Sequence, residues 1–139
     1  MTELKSSVLL SFSIHSETVH PDTITEVLDI RPDKFGIKGH HRFDNPRYAI
    51  RGTHFWGLNS RNKVERSSPI GEHMTYLLDL LYPHSRYLAE LSKTAELRFL
   101  CTITHGNHIF LDKDTIHKIA DIGAFFNATV LNWDDDDED

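Results

Sequence analysis

Apolar residues recur at every second position near the start of the chain. Between residues 8 and 14 every even position is apolar, in the order Val8, Leu10, Phe12 and Ile14. A period of two residues is typical of a β-strand with one buried face. A second alternating run carries Leu97, Phe99, Cys101 and Ile103. We therefore predict strands over 8–14 and 97–104, with further strands over 48–58 and 126–132.

Apolar residues at helical spacing fall between these strands. They predict helices over 21–30, 68–92 and 113–122. Pro83 should kink the second helix, because a proline inside a helix removes a backbone hydrogen bond and clashes with the preceding turn. Gly123 should end the third helix in the left-handed conformation that glycine favours.

A tight turn is predicted at residues 105–108, with Gly106 and Asn107 as its two central residues and a short returning strand over Ile109–Leu111. Another extended piece is predicted around Phe35–Lys38. The order of elements is then β-α-β-β-α-β-β-α-β. We predict one α+β domain, a sandwich in which the helices pack on one face of a mainly antiparallel sheet.

Length and composition favour one small cytoplasmic domain. The chain has 139 residues, which suits a single core. Its apolar runs are too short to span a bilayer, and Met1–Lys5 lacks the features of a signal peptide. Cys101 is the single cysteine, which excludes an internal disulfide. We expect no membrane partner.

Charge divides the chain into a domain over 1–133 and an acidic flexible tail over 134–139. The tail consists of Asp134, Asp135, Asp136, Asp137, Glu138 and Asp139. These six acids carry the whole net charge of −6, because fifteen bases balance the other fifteen acids. Residues 31–66 hold nine Lys or Arg and three acids. Runs of like charge often serve as interaction tails, so we predict that the acidic tail binds a cationic protein partner. Two alternatives are that it folds back on residues 31–66 and screens them, or that it is only a solubilising end.

Ten histidines raise the question of a metal site. His105 and His108 flank the predicted turn and could meet across two strands. Zinc needs three or four ligands, and the spacing shows no third, so turn-flanking polar residues explain the pair better. Cys101 lies on an apolar strand face, where a thiol is inert. No phosphate loop or catalytic motif occurs in the sequence, and we predict neither a cofactor nor a catalytic residue.

The basic segment 31–66 also contains aromatic residues, namely Phe35, Phe43, Tyr48, Phe55 and Trp56. Arginine interleaved with aromatic residues is compatible with phosphate pairing and base stacking. The acidic overall balance and the acidic tail would repel a phosphate backbone. The sequence therefore argues against a nucleic-acid partner and favours a solvated loop whose aromatic residues pack inward.

Several short motifs resemble a bacterial family of domains of unknown function, family 4279. They are the segment 52–60, with Trp56, Leu58 and Ser60 in a Trp-x-Leu-x-Ser pattern, the helix end at 28–33, and the later segments 77–83 and 119–123. The resemblance covers roughly residues 8–132. It implies an α+β single domain with no established activity. No catalytic residue can be carried over from it.

Small acidic bacterial proteins without catalytic motifs also resemble immunity proteins, which bind and block a toxin domain. We therefore expect a non-catalytic protein-binding module that neutralises a basic, nuclease-type toxin. A nuclease site is cationic so that it can hold phosphates, and an acidic partner gains association rate through electrostatic steering. The alternative is a small enzyme or metal-binding protein whose histidines converge only in the fold.

Overall fold

Five strands form one open sheet in the computed structural model, which describes residues 7–104 and 106–131. The strands are β1 (Val8–Ser16), β2 (Lys34–Gly36), β3 (His54–Asn59), β4 (Glu96–Thr104) and β5 (Phe125–Leu131). Their spatial order is β2-β3-β1-β4-β5. The β2–β3, β3–β1 and β1–β4 pairs are antiparallel, and β4–β5 is parallel. The predicted mainly antiparallel sheet is confirmed.

Helices lie between the strands in sequence and pack together on one face of the sheet. They are α1 (Pro21–Leu28), α2 (Ile70–Leu81), α3 (Ser85–Leu91) and α4 (Lys113–Ile122). The helix predicted over 68–92 is interrupted by a 3-10 turn at Tyr82–His84, where Pro83 cannot continue the α-helical ladder. The single α+β domain predicted from the sequence is confirmed.

The core lies between this helical layer and one face of the sheet. Every second residue of β1 from Val8 is buried, and so are the alternate residues of β4 from Leu97. Phe12 is at the centre, with ring centroids 4.9 Å from Phe99 and 6.5 Å from Trp56. The alternation in the sequence therefore identified the buried face correctly.

The hairpin predicted after β4 is wrong. Residues 107–112 form no strand, and His105 lies outside the described residues. The Asn107 side-chain amide donates to the carbonyl oxygen of Thr104 at 3.1 Å and to its hydroxyl at 2.6 Å. Asparagine side chains compete with the backbone ladder in this way, so the chain leaves the sheet here instead of turning back.

The chain returns to the sheet through a helical crossover, which a parallel strand pair requires. Asp112 caps α4 by accepting the Thr115 N–H at 2.8 Å. Gly123 ends α4 with φ of 84°, as its position predicted. The chain then enters β5 parallel to β4.

The strand predicted over 48–58 is shorter than expected. Only His54–Asn59 pairs in the sheet, and residues 37–53 form a long excursion between β2 and β3. We call this excursion the 37–53 loop.

Candidate functional site

The 37–53 loop overhangs the end of the open sheet face and encloses a groove of about 920 Å³. Strands β1, β2 and β3 form the floor of the groove. Side chains that define its chemistry are His15, Lys34, Arg42, Phe43, Arg51 and Phe55. This volume lies within the range of small ligand and peptide sites. We call this surface the basic groove.

Backbone hydrogen bonds hold the two arms of the loop together. Arg51 N–H donates to the His40 carbonyl at 2.9 Å, and Arg42 N–H donates to that of Ala49 at 3.1 Å. His41 adds a side-chain contact, with Nδ1 2.7 Å from the Tyr48 carbonyl oxygen. The loop is therefore a braced hairpin, which can hold its tip in a defined position.

The tip presents an aromatic side chain on strained backbone. Phe43 and Asp44 both have positive φ, at 57° and 53°, which is rare for residues other than glycine and unusual for a bulky one. The Phe43 side chain is 70% exposed. It stands edge-on to Tyr48 with ring centroids 5.1 Å apart, and the Arg42 guanidinium lies 5.6 Å from its ring.

The floor of the groove carries a stack of rings and a cation. The Phe55 ring lies 5.1 Å from the His15 ring and 5.7 Å from the Arg51 guanidinium. Arg51 in turn lies over Gly36, where a Cβ would collide with its guanidinium. Glycine at position 36 therefore makes the room that Arg51 occupies.

The groove has a small excess of positive charge, because Lys34, Arg42 and Arg51 line it together with the two acids Asp33 and Asp44. Lys34, Arg42 and Arg51 form no ion pair with any residue in the described parts of the chain. Asp33, also in the groove, uses Oδ2 to accept the Asn59 N–H at 2.8 Å. Burial, followed by the nearby guanidinium groups, lowers the pKa of His15, although Glu96 opposes the shift. Three cations against two carboxylates leave only a small positive excess on the lining of the groove.

Metal and thiol chemistry find no support in residues 7–104 and 106–131. No group of three histidine, cysteine or acidic residues there could hold a metal ion. His108 is exposed. Burial raises the pKa of the Cys101 thiol to about 11, as the packing role predicted for it requires. His20 and His54 have ring centroids 5.3 Å apart, but each Nδ1 already accepts a backbone N–H.

Comparison with known proteins identifies the family. A family model described as a domain of unknown function, DUF4279, matches residues 3–133. The chain belongs to the DUF4279 family. No curated protein and no solved structure matches it. The family resemblance expected from the short motifs is confirmed, whereas the resemblance to immunity proteins remains a hypothesis.

The Trp-x-Leu-x-Ser pattern of this DUF4279 domain has a structural role. Trp56, Leu58 and Ser60 are buried. Trp56 Nε1 donates to Thr25 Oγ1 at 3.0 Å. Ser60 Oγ accepts the Leu10 N–H at 3.0 Å. The pattern thus attaches β3 to α1 and β1.

Ser60 also pairs with His73 of α2, a contact that the sequence did not reveal because the two residues lie on different elements, 13 positions apart. Both side chains are fully buried. Burial lowers the pKa of His73. A serine–histidine pair can generate a nucleophile, but no substrate could reach this one. We therefore assign it to the core of the DUF4279 domain.

The predicted partner-binding residues, Asp134 to Asp139, lie outside the described residues. Their role stays a prediction. The structure does place Leu131, the last described residue, at the sheet edge opposite the basic groove. Among the residues that can be described, no helix is long and apolar enough to cross a membrane.

Proposed function

We propose that this DUF4279 domain is a non-catalytic protein-binding module and that the basic groove, with Phe43 at its rim, contacts the partner. The observation that carries the proposal is the exposure of Phe43 on backbone with positive φ. Strained backbone persists only where the surroundings enforce it, and such strain clusters at functional sites. Here the braced arms of the loop enforce it.

The residue types around Phe43 suit a protein interface. Aromatic residues and arginine are enriched in interface cores and dominate their binding energy. Phe43, Tyr48 and Arg42 form one such cluster. Because the loop is already hydrogen-bonded, binding would order few additional groups and little affinity would be lost to entropy.

The specific form of the proposal is an immunity protein that blocks a basic, nuclease-type toxin domain. The acidic residues 134–139 would attract the cationic surface of the toxin and raise the association rate. The basic groove would repel that same surface. The groove must therefore engage a different patch of the toxin, one that is apolar or acidic. The carboxylates with which nucleases bind metal ions are an example of an acidic patch.

Co-expression with the product of a neighbouring toxin gene tests the proposal. We expect a one-to-one complex in which nuclease activity is lost. Phe43→Ala should weaken this complex by about 30-fold or more, the level expected of an interface hot spot of at least ~2 kcal/mol. Phe110→Ala is the matched control because Phe110 is 74% exposed but lies outside the groove. It should change affinity less than about twofold.

Two results would contradict the proposal. A folded domain that leaves the toxin fully active has no neutralising role. A complex that Phe43→Ala and Phe110→Ala affect equally does not use the groove.

The alternative enzyme or metal-binding function predicts stoichiometric zinc or another transition metal in the purified protein, which elemental analysis would detect.

A further inference from the structure

Strand β5 lies at one edge of the sheet. Within residues 7–104 and 106–131, no strand lies beyond β5 in the sheet, and no backbone hydrogen bond from another segment reaches it. An exposed edge offers a row of free N–H and C=O groups to any other strand. The two edges of this sheet differ in whether they are protected against pairing with another strand.

The opposite edge, β2, has the usual protection. It is three residues long, contains Lys34 and follows Pro32 closely. Short length, lysine and proline are the features with which natural sheets prevent edge pairing. Strand β5 spans seven residues, Phe125–Leu131, and contains neither a charge nor a proline. Three of its large apolar side chains are exposed, namely Phe125 at 62%, Val130 at 53% and Leu131 at 47%, whereas Phe126 is half-buried against the core.

We propose that β5 pairs with β5 of a second copy of this chain, antiparallel and with a two-fold axis at Ala128. Ala128 is the central residue of the strand, so this register pairs all seven residues. Phe125 lies opposite Leu131 of the second copy, and Phe126 lies opposite Val130. Aromatic residues facing aliphatic ones stabilise a sheet. The small Ala128 meets itself on the axis.

Charge selects the second copy and the antiparallel direction. The six acids of 134–139 follow β5, so parallel pairing would place twelve negative charges side by side. Antiparallel pairing separates the two Leu131 residues by about 20 Å, at ~3.3 Å per residue. Exposed charges at that distance are largely screened, since the Debye length is about 8 Å. The pairing also closes on itself, because the described part of each copy has one such edge.

This dimer goes beyond the proposed function and leaves it intact. The basic groove lies at the β2–β3 side of the sheet, and the axis lies at the β5 side. Both grooves would remain open, so one dimer could engage two partners. The shared sheet would contain ten strands.

Sedimentation of the full chain tests the dimer. A strand-edge contact belongs to the small-interface class, so we expect dissociation at about micromolar concentration. The wild-type protein should shift with rising concentration from 16.0 kDa to twice that mass. Ala128→Lys puts two like charges opposite each other on the axis and should keep the protein monomeric. Phe35→Lys, at an exposed site on β2, is the matched control and should dimerise like the wild type.

Cysteine cross-linking tests the register without relying on a destabilised variant. Directly opposed residues of antiparallel strands have Cα atoms ~5 Å apart, within disulfide range. Ala128→Cys should therefore form a covalent dimer on oxidation. Val130→Cys should not, because the two Val130 residues lie four positions apart, about 13 Å. Cys101 is buried and unreactive, so it adds no background.

The proposal fails if the wild-type protein stays monomeric at several hundred micromolar. It also fails if Ala128→Lys dimerises as well as the control, or if Val130→Cys cross-links as fast as Ala128→Cys. Loss of toxin binding by Phe43→Ala bears only on the groove, so the two proposals can fail separately.

Discussion

Ser60 Oγ lies 2.7 Å from His73 Nδ1, and this contact joins the end of β3 to α2 inside the core. Because Ser60 Oγ also accepts the Leu10 N–H, its hydroxyl hydrogen is available to His73. His73 Nδ1 is then the acceptor. One buried hydroxyl thus connects two strands and a helix.

Replacing Ser60 by alanine should destabilise the fold. It leaves the Leu10 N–H and the His73 ring buried without this partner, and an unsatisfied buried group costs about 1–3 kcal/mol. Urea unfolding of Ser60→Ala should show a loss of that size. Ser67→Ala, at an exposed serine nearby, is the control and should stay within about 0.5 kcal/mol of the wild type. Equal effects of the two changes would refute the role given to Ser60.

Stability should fall as pH drops below about 6.5, the ordinary histidine pKa. The folded state lowers the pKa values of His15, His54 and His73, in each case mainly by desolvation. The unfolded chain therefore binds more protons in this window, and protonation favours unfolding. The stabilisation is complete above the unfolded pKa and is lost as pH falls through the folded values.

Urea unfolding at pH 7.5 and 5.5 measures this slope. His73→Asn keeps an acceptor for Ser60 but cannot titrate, so it should reduce the slope even if it lowers stability at both pH values. A protein that is equally stable at both pH values would contradict the assignment. Asp112 affects stability in a separate, more acidic pH range. The Thr115 N–H is the main cause that lowers its pKa, so the stabilisation from Asp112 is lost only below about pH 4.

Gly36→Ala should disturb the groove without unfolding the domain. The new Cβ meets the Arg51 guanidinium, which must leave its position over Phe55. Because the obstacle is the end of a flexible side chain, the free energy of unfolding should change by less than about 1 kcal/mol. Partner affinity should fall several-fold. Gly52→Ala is the control, since a Cβ there meets no atom within 4 Å. Identical affinities of the two variants would argue against a role for Arg51.

Removing residues 134–139 should slow association with a cationic partner and flatten its salt dependence. It should leave the affinity of the basic groove for anions unchanged. Leu131 pairs with Thr104, at the opposite end of the sheet from His15 and Phe55. At ~3.3 Å per residue and ~4.8 Å per strand, the groove is about 30 Å away.

Eight residues beyond Leu131 span at most about 28 Å when fully extended. Only a nearly straight chain would bring the last acids beside the groove, and holding it straight costs conformational entropy, so we expect little screening of the groove. The bases Arg61, Lys63 and Arg66 are nearer to Leu131 than the groove is. The Val8 N–H donates to the Arg66 carbonyl, and Val8 lies at the same end of the sheet as Leu131. Titration of the truncated and full-length proteins with pyrophosphate tests this expectation. If truncation raises the affinity for pyrophosphate and Arg51→Ala removes the gain, the acidic residues do screen the groove.

Local patterns in the sequence determined most of the secondary structure. The alternation from Val8 to Ile14 marks a strand because side chains two residues apart share a face. Pro83 breaks the helical ladder wherever it occurs, and Gly123 adopts positive φ without steric cost. These effects depend on a few neighbouring residues, so they could be predicted before the fold was known.

Tertiary structure decided what depends on distant partners. The Gly106-Asn107 pair suggested a hairpin, but Asn107 bonds to Thr104 and β5 joins the sheet in parallel. Sequence alone showed neither the contact between Ser60 and His73 nor the exposure of Phe43, which was expected to pack inward. Neighbouring residues bias backbone angles, whereas strand order and burial follow from packing across the whole chain.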